Sequence, residues 1–542
     1  MASTMPEDVI CFSCGRVISG ASGMKARGRR EFRGSSTRGA KRKETPKMAA
    51  AQASGPRSRR AGAAQAGIRQ ARKSSMKNLF LVGIVSFIFL FTPAQDQLLD
   101  MISDLDEVLD KFKSGREYPL EASYTYSRTY TIAEDNGTCT EWIEEDEQDI
   151  CATWSDPGGD LLFKRQMSIP FDRTSKSVMT EHFSAESDSG PFTSGTLQDI
   201  ISVKVNSEGQ DIVIPLDGTA RSRESAMILP SGNLVYWPAV NSGVNSCPHT
   251  RCIIWEGTVS DGGSYTLVAE VEVEGKSWSW WQDPSVHSDI EGKSWGINVD
   301  NSGTFSDIQS RAGGTYWNDF GKNSQWYYSS HRNEYLINGD DPLIQLTALD
   351  IYATLPGELS DNAYAFARAS FDFLVEKITY DPNADINPIS GSECIETGLG
   401  DCDEVSNAWM SLMRVKEIPT WYEFGILLNP HNQKWEGHAW ANVMLPLSEG
   451  WCADKGITID SCYILGEVDV VNNKWLLHTP TAVTDWIEVA DPTGDLIDSA
   501  YRGWSFTISN GGRALYGSVI DTVGSPVYIG GTYIVTVDPE SF

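Results

Sequence analysis

Hydrophobic and polar positions divide the chain into stretches of different texture. Leu79 to Phe91 is a nearly unbroken apolar run, with Lys77 before it and Thr92-Pro93-Ala94 after it. Its length suits the core of an export signal better than a full membrane span, so residues 77–94 are read as a signal peptide or signal-anchor helix. Met76 is then the expected start of the exported chain. Leu98, Met101, Ile102, Leu105, Val108, Leu109 and Phe112 recur at helical spacing with aspartates between them. They predict an amphipathic helix over residues 96–114, ended by Ser114-Gly115. From residue 118 to 335 the period changes to two, as in Ala122–Ser127 and Tyr265–Val273, with Gly, Asp, Ser and Asn as punctuation. This texture predicts one or two β-sandwich-like domains. Helical periodicity returns at about Ser360–Ile378 and Glu404–Glu417, the latter closed by Ile418-Pro419. Apolar strand-like runs, Thr420–Leu428 and His438–Leu445, follow and define an α+β unit over residues 343–500. Short strands with Gly turns resume in residues 501–542, either extending the sheet of that unit or forming a small terminal β unit.

Charge sharpens this division. The formal net charge is −29, yet residues 1–75 hold 17 Lys/Arg against 4 Asp/Glu, which leaves −42 for the remainder. An acidic body of this kind disfavours nucleic acid and anionic membranes as partners. Residues 1–75 read as a basic disordered extension, or as a mis-assigned start. Within it, Cys11-Phe12-Ser13-Cys14-Gly15 resembles the opening of a small zinc-ribbon subunit of RNA polymerases. The second cysteine pair is missing from the segment, so a four-ligand zinc site is not supported. Ten cysteines are few for 542 residues. Local pairs Cys139–Cys151, Cys247–Cys252 and Cys452–Cys462 are expected as disulfides, in keeping with export. Cys394 and Cys402 remain, either as free thiols or as a pair that would block reactivity.

Candidate chemistry converges on residues 398–440. Gly400 and Asp401 can turn the chain and cap a helix, placing Cys402 at its N-terminus. Unsatisfied N–H groups there favour an anion, so a stabilised thiolate with a lowered pKa is expected. Val405, Trp409, Leu412 and Met413 share one helical face and can anchor the helix inward. His438 opens an apolar strand, and Asp491 ends another at Trp486-Ile487-Glu488-Val489-Ala490-Asp491-Pro492-Thr493. Cys402, His438 and Asp491 are therefore read as nucleophile, base and the group that orients the base.

Gly-Asp-Cys, a helix ending in Ile-Pro, then His-Ala-Trp and a strand ending in Asp-Pro-Thr resemble the transglutaminase-like cysteine enzyme superfamily over roughly residues 343–495. The resemblance implies an α+β, papain-like catalytic domain with the cysteine helix packed on an antiparallel sheet. It implies acyl-transfer chemistry on peptide or glutamine-type amides through Cys402, His438 and Asp491. The stretch between His438 and Asp491 is longer than the family's short hairpin and carries Cys452 and Cys462, so an insertion that covers or reshapes the site is expected.

Other features carry less. Trp278, Trp280, Trp281 and Trp295 fit either a sugar-stacking platform or aromatic core packing, the latter being usual in sandwich cores. The echo of Glu-Gly-Lys-Ser-Trp at residues 274–278 and 291–295 is too short to define a repeat. Asn136-Gly137-Thr138 is a glycosylation sequon if the chain is exported. Residues 381–385 and 338–342 hold acidic and amide groups without a complete calcium spacing, and no cofactor is implied. The expectation is an exported or membrane-anchored cysteine hydrolase or acyltransferase acting on protein or peptide. Residues 79–91 would provide the membrane contact if uncleaved. The competing expectation is a cell-surface binding protein that uses the same domain as a scaffold.

Overall fold

The computed structural model describes residues 116–155, 160–175, 195–240, 250–311, 327–381, 388–429, 434–488, 506–508 and 513–542, apart from short interruptions within these ranges. The basic extension, the apolar run 79–91, the predicted helix 96–114 and the sequon's Asn136 lie outside them. Among the described residues no helix is long and apolar enough to cross a membrane.

Three antiparallel sheets form the framework. The first is organised by β1, Arg116–Asp135. The remaining labelled elements follow in chain order. β2 is Leu161–Ser168, β3 Arg173–Thr174, β4 Thr196–Ser207, β5 Cys252–Val259 and β6 Ser264–Lys276. The helices α1 (Pro342–Tyr352), α2 (Ala363–Lys377), α3 (Gly391–Thr397) and α4 (Cys402–Val415) come next. Then come β7 (Thr420–Leu428), β8 (Trp435–Pro446), α5 (Glu449–Asp454), β9 (Tyr463–Asp469), β10 (Lys474–Trp475), β11 (Ala482–Ile487) and β12 (Arg513–Val535).

The first sheet runs β12-β1-β6-β4-β3. The second contains β2 and β5 at its centre, with Phe506–Ile508 added at the β2 edge. The third runs β10-β9-β8-β7-β11. The C-terminal strands thus complete the first two sheets and do not extend the third. β12 pairs with β1 along nearly its whole length, from Arg116↔Val535 to Asp135↔Arg513. Chain ends that are far apart in sequence therefore close one β layer.

Period-two alternation in β1 gives it one buried face, and that face serves two neighbours. Tyr124 and Tyr126 pack at a tilt against Trp435 of the third sheet, and Tyr130 lies under the Arg165 guanidinium of the second. Phe163, Trp255 and Tyr265 join the first two sheets as an aromatic cluster. The tryptophan-rich segment is core: Trp278, Trp280 and Trp281 are buried. Trp278 pairs with His478, and the Trp280 N–H donates to Leu476 O at 2.9 Å, so this segment is the joint to the third sheet. The sugar-platform alternative fails for these three because their faces are covered. The two Glu-Gly-Lys-Ser-Trp copies differ in conformation, one ending a strand and the other entering a 3-10 turn, so they are not a repeated unit.

The third sheet and helices α1–α4 form the α+β layer. Helix α4 is buried along almost its whole length, with Val405, Trp409, Leu412 and Met413 fully covered. Cys452 and Cys462 form the expected disulfide, in the connection between β8 and β9. Cys252 is disulfide-bonded, its expected partner Cys247 lying outside the described residues. Cys394 and Cys402 are both free and buried, so the blocking pair does not form here.

Candidate active site

The local sequence explains how Cys402 is placed. Gly398 ends α3 in the left-handed region at φ 70°, where a side chain would be strained. The chain then makes a short parallel pairing, Leu399–Gly400 with Thr379–Tyr380. A Cβ on residue 400 would stand 2.9 Å from both Cys394 Sγ and Glu404 Cβ, so only glycine passes there. Asp401 caps α4. Its carboxylate accepts from the Asp403 N–H, while the Glu404 carboxyl accepts from the Asp401 N–H at 2.7 Å. The Tyr422 hydroxyl of β7 donates to Asp403 O at 3.0 Å and tethers the first turn to the sheet. Cys402, the first helical residue, thereby lies against β8, where the Ala439 N–H faces its sulfur.

His438 is the residue before Ala439. It sits opposite Gly425 on β7 and stacks on Trp440 with centroids 5.5 Å apart. Its Nε2 is 2.9 Å from Asp469 Oδ2 at the end of β9, the strand paired directly with β8. Asn472 in the β9–β10 turn lies between them. Its Nδ2 donates to Asp469 Oδ2 at 2.8 Å and stands 3.0 Å from His438 Nε2. Lys474 Nζ is 3.1 Å from the same carboxylate oxygen, and Asp469 Oδ1 accepts from the Asn472 N–H at 3.2 Å. Arg116 of β1 donates through NH1 to Asn472 Oδ1.

These contacts set beside the imidazole a carboxylate other than the expected Asp491. Asp491 lies outside the described residues. The strand leading toward it, β11, pairs with β7, and β7 separates it from the strand of His438. The carboxylate on the neighbouring strand is Asp469. It was missed because the β8–β9 connection, with α5 and the disulfide, hides how close the two strands are. The usable signal was the strand-like Tyr463–Asp469 followed by Val470-Val471-Asn472-Asn473, the next strand after that of His438.

Electrostatics separate the two halves of the site. Burial opposes the charge of Asp469, but His438, Lys474 and Asn472 outweigh it and hold its carboxyl far below the ordinary range. Cys402 goes the other way. Burial, then the charges of Asp401 and Asp403, push its thiol well above the ordinary value, and the Ala439 N–H offsets only part of this. Burial and the neighbouring carboxylates thus act against the lowered thiol pKa expected from the helix N-terminus. Asp403 and Glu404 are themselves protonated more readily than usual. Burial and Asp401 raise Asp403 well above its usual value and Glu404 to about 9.

Asp401, Cys402 and Asp403 also hold their ligand atoms within 4.8 Å of one another. The arrangement is that of the helix cap, and Asp401 already accepts the Asp403 N–H. In the 338–342 segment Asp341 caps α1 and Asn338 Oδ1 accepts the Asp340 N–H, so its acidic and amide groups serve a turn.

Residues 354–453 match the family model of the transglutaminase-like superfamily. No curated protein matches the chain. Among solved structures, similarity is found to a "putative cysteine protease" from Cytophaga hutchinsonii, at 10% identity over 79% of this chain and 94% of that one, with a TM-score of 0.34. A "putative protease" from Parabacteroides distasonis is similar at 7% identity over 54% of this chain and 61% of that one, with a TM-score of 0.15. The helix that begins at Cys402, packed on an antiparallel sheet that carries His438, falls inside the matched segment. Residues 354–453 therefore form a transglutaminase-like segment of the chain.

Proposed function

We propose that this chain is an exported or membrane-anchored cysteine enzyme that transfers acyl groups from peptide or glutamine-type amides. Cys402 is the nucleophile, His438 the base and Asp469 the orienting carboxylate. The observation that carries this reading is the His438–Asp469 contact of 2.9 Å, beside a helix that starts at Cys402. An Nε2–H donated to Asp469 leaves the Nδ1 lone pair free to take the thiol proton. Sulfur then attacks the amide carbonyl carbon, and the C–N bond breaks as the imidazolium returns the proton to the leaving amine. The thioester that remains is opened by water, giving hydrolysis, or by an amine, giving transamidation.

The raised thiol pKa bears on how the first step runs. Burial and the neighbouring carboxylates disfavour the thiolate, so in this reading proton transfer to His438 accompanies attack and is not completed beforehand. The burial of Cys402 favours a second reading, in which the domain is a binding scaffold. One experiment separates them. The purified chain is incubated with a peptide library and a primary amine, and products are read by mass spectrometry. Cleavage, deamidation or crosslinking that disappears in Cys402→Ala is expected. Peptide binding that persists in Cys402→Ala, with no turnover in either protein, would establish the scaffold instead.

A further inference from the structure

We infer that Lys474 is a positioning residue for the His438 imidazole: its ammonium supplies the counter-charge of Asp469, which frees the imidazole beside that carboxylate to be the unprotonated base. The catalytic consequence rests on the Cys402–His438 reading. The charge relation among the three side chains does not.

The turn after β9 sets the lysine in place. Asn473 takes the left-handed conformation at φ 50°, which asparagine tolerates better than most residues, and its N–H donates to Val470 O at 3.0 Å. Lys474 then stands directly opposite Asp469 in the antiparallel β9–β10 pair. Both side chains are buried, with Nζ 3.1 Å from Asp469 Oδ2. Nζ is also 3.4 Å from Thr479 Oγ1 and 5.6 Å from the centre of the Tyr118 ring. A lysine buried to this degree is rare unless an anion pairs with it. Burial opposes its charge, but Asp469 leads the groups that outweigh burial, and the ammonium is favoured.

Hydrogen bonding alone does not call for a lysine there. Asp469 already accepts the Asn472 N–H at Oδ1 and the Asn472 side-chain amide at Oδ2, and His438 Nε2 stands 2.9 Å from Oδ2. What Nζ adds is positive charge. A buried carboxylate without a cation draws a proton onto the nearest basic group. Without Lys474 that group is His438, and an imidazole already carrying the extra proton cannot take one from sulfur. With Lys474 present the carboxylate is neutralised. Nζ and Nε2 both lie about 3 Å from one oxygen, so a proton added to the ring meets an ammonium no more than about 6 Å away. The effect depends on charge and distance, not on which ring nitrogen bears the proton of the neutral form. The other charged and titratable groups around this cluster are Arg116 and Tyr118 of β1, Glu467 of β9, and Asp401, Cys402, Asp403 and Glu404 at the start of α4. Arg116 acts in the same direction as Lys474. Glu467 acts against it, but is itself engaged by Arg173 and His478.

Side-chain NMR of His438 against pH, in the full Cys402→Ala chain, tests this without any need for reactivity. Lys474→Met is expected to move the imidazole titration upward by about one to two pH units, the effect of losing a like charge about 6 Å away in a protein interior. Lys474→Gln keeps a donor and drops the charge, and should give the same rise. Lys474→Arg keeps the charge and should stay within about half a unit of the unaltered ring. No rise in whichever of the Met and Gln variants folds, or an equal rise in Lys474→Arg, overturns the inference. So does failure of both neutral variants to fold while Lys474→Arg folds, since the charge would then serve stability. In the active chain the acid limb of the pH–rate curve should move upward by the same interval in Lys474→Gln; a curve lowered at every pH without that displacement would mark a structural loss and also overturn it. Absence of Cys402-dependent turnover in the unaltered chain would instead defeat the enzymatic reading and leave the titration result standing.

Discussion

At the residue scale the sequence singles out Cys402 and His438, and offers Asp491 where the fold sets Asp469 beside the imidazole. Cys402 was legible because Gly-Asp-Cys before a helical apolar stripe admits few other folds. His438 was legible because it opens an apolar strand after that helix. Asp469 was not, because pairing of β8 with β9 is a long-range fact that a stapled connection conceals. The consequence is a direct comparison of two carboxylates. Asp469→Asn should reduce Cys402-dependent turnover by about a thousandfold or more, because the amide no longer compels the productive tautomer. Asp491→Asn should remain within a few-fold of the unaltered chain. Steady-state rates on a peptide substrate check this, and the reverse ranking would return the role to Asp491. The thiol pKa gives a second test with a counterintuitive sign. Asp401 raises it by its charge while capping α4. Asparagine caps about as well. Asp401→Asn should therefore speed iodoacetamide alkylation of Cys402 at pH 7, and the pH-rate curve should move to lower pH.

At the element scale, patterning predicted the Cys402 helix, the strands around it and the sandwich texture, since each is written in local periodicity. The inward anchoring of α4 by Val405, Trp409, Leu412 and Met413 needs only 3.6-residue spacing. What patterning could not supply is how much charge α4 would bury at its first turn. Glu404 reaches back to the Asp401 N–H and is held there by burial with its carboxyl raised to about 9. A folded pKa above the unfolded value means that the folded state retains a proton which the unfolded state releases. The stability from this proton is fully present below about pH 4.3, the unfolded value, and is lost as pH rises toward about 9. The melting temperature should accordingly fall between pH 5 and 9. Glu404→Gln, whose side chain can still accept the Asp401 N–H, should flatten that slope; an unchanged slope would assign it to other groups. The connection between β8 and β9 has its own test. Its disulfide closes a loop with a sequence separation of 10, and replacing Cys452 and Cys462 by alanine should cost about 2–3 kcal/mol in denaturant melts.

At the scale of the whole molecule, the sandwich and the third sheet are joined by charges buried between them. Arg173 of β3 donates to Glu423 of β7 and to Glu467 of β9, both through NH1 at 2.9 Å, and also to Thr484 of β11. His478 Nδ1 stands 3.0 Å from Glu467. One arginine thus ties three strands of the third sheet to the first sheet. Such a network gives little net stability when complete, but removing one member leaves uncompensated buried charge. Burial raises Glu423 to about 7 despite the nearby Arg173, whereas His478 and Arg173 overcome burial and hold Glu467 at about 2. Glu467 is therefore the member that needs its partners as an ion. Its contribution is present above about pH 4.3, the unfolded value, and is lost as pH falls toward about 2. Arg173→Met should cost about 3–5 kcal/mol at pH 7, a loss larger than the removal of a surface ion pair by several-fold. Combining it with Glu423→Gln and Glu467→Gln should recover part of that loss, because the stranded charges go with it. Equilibrium unfolding of the single and combined variants decides the point: a combined variant weaker than Arg173→Met alone would mean that the three side chains act by shape and not by charge. Recovery would show why residues 343–500 should not be expressed alone, since Glu423 and Glu467 would then lose Arg173 and face water on a sheet built to be covered.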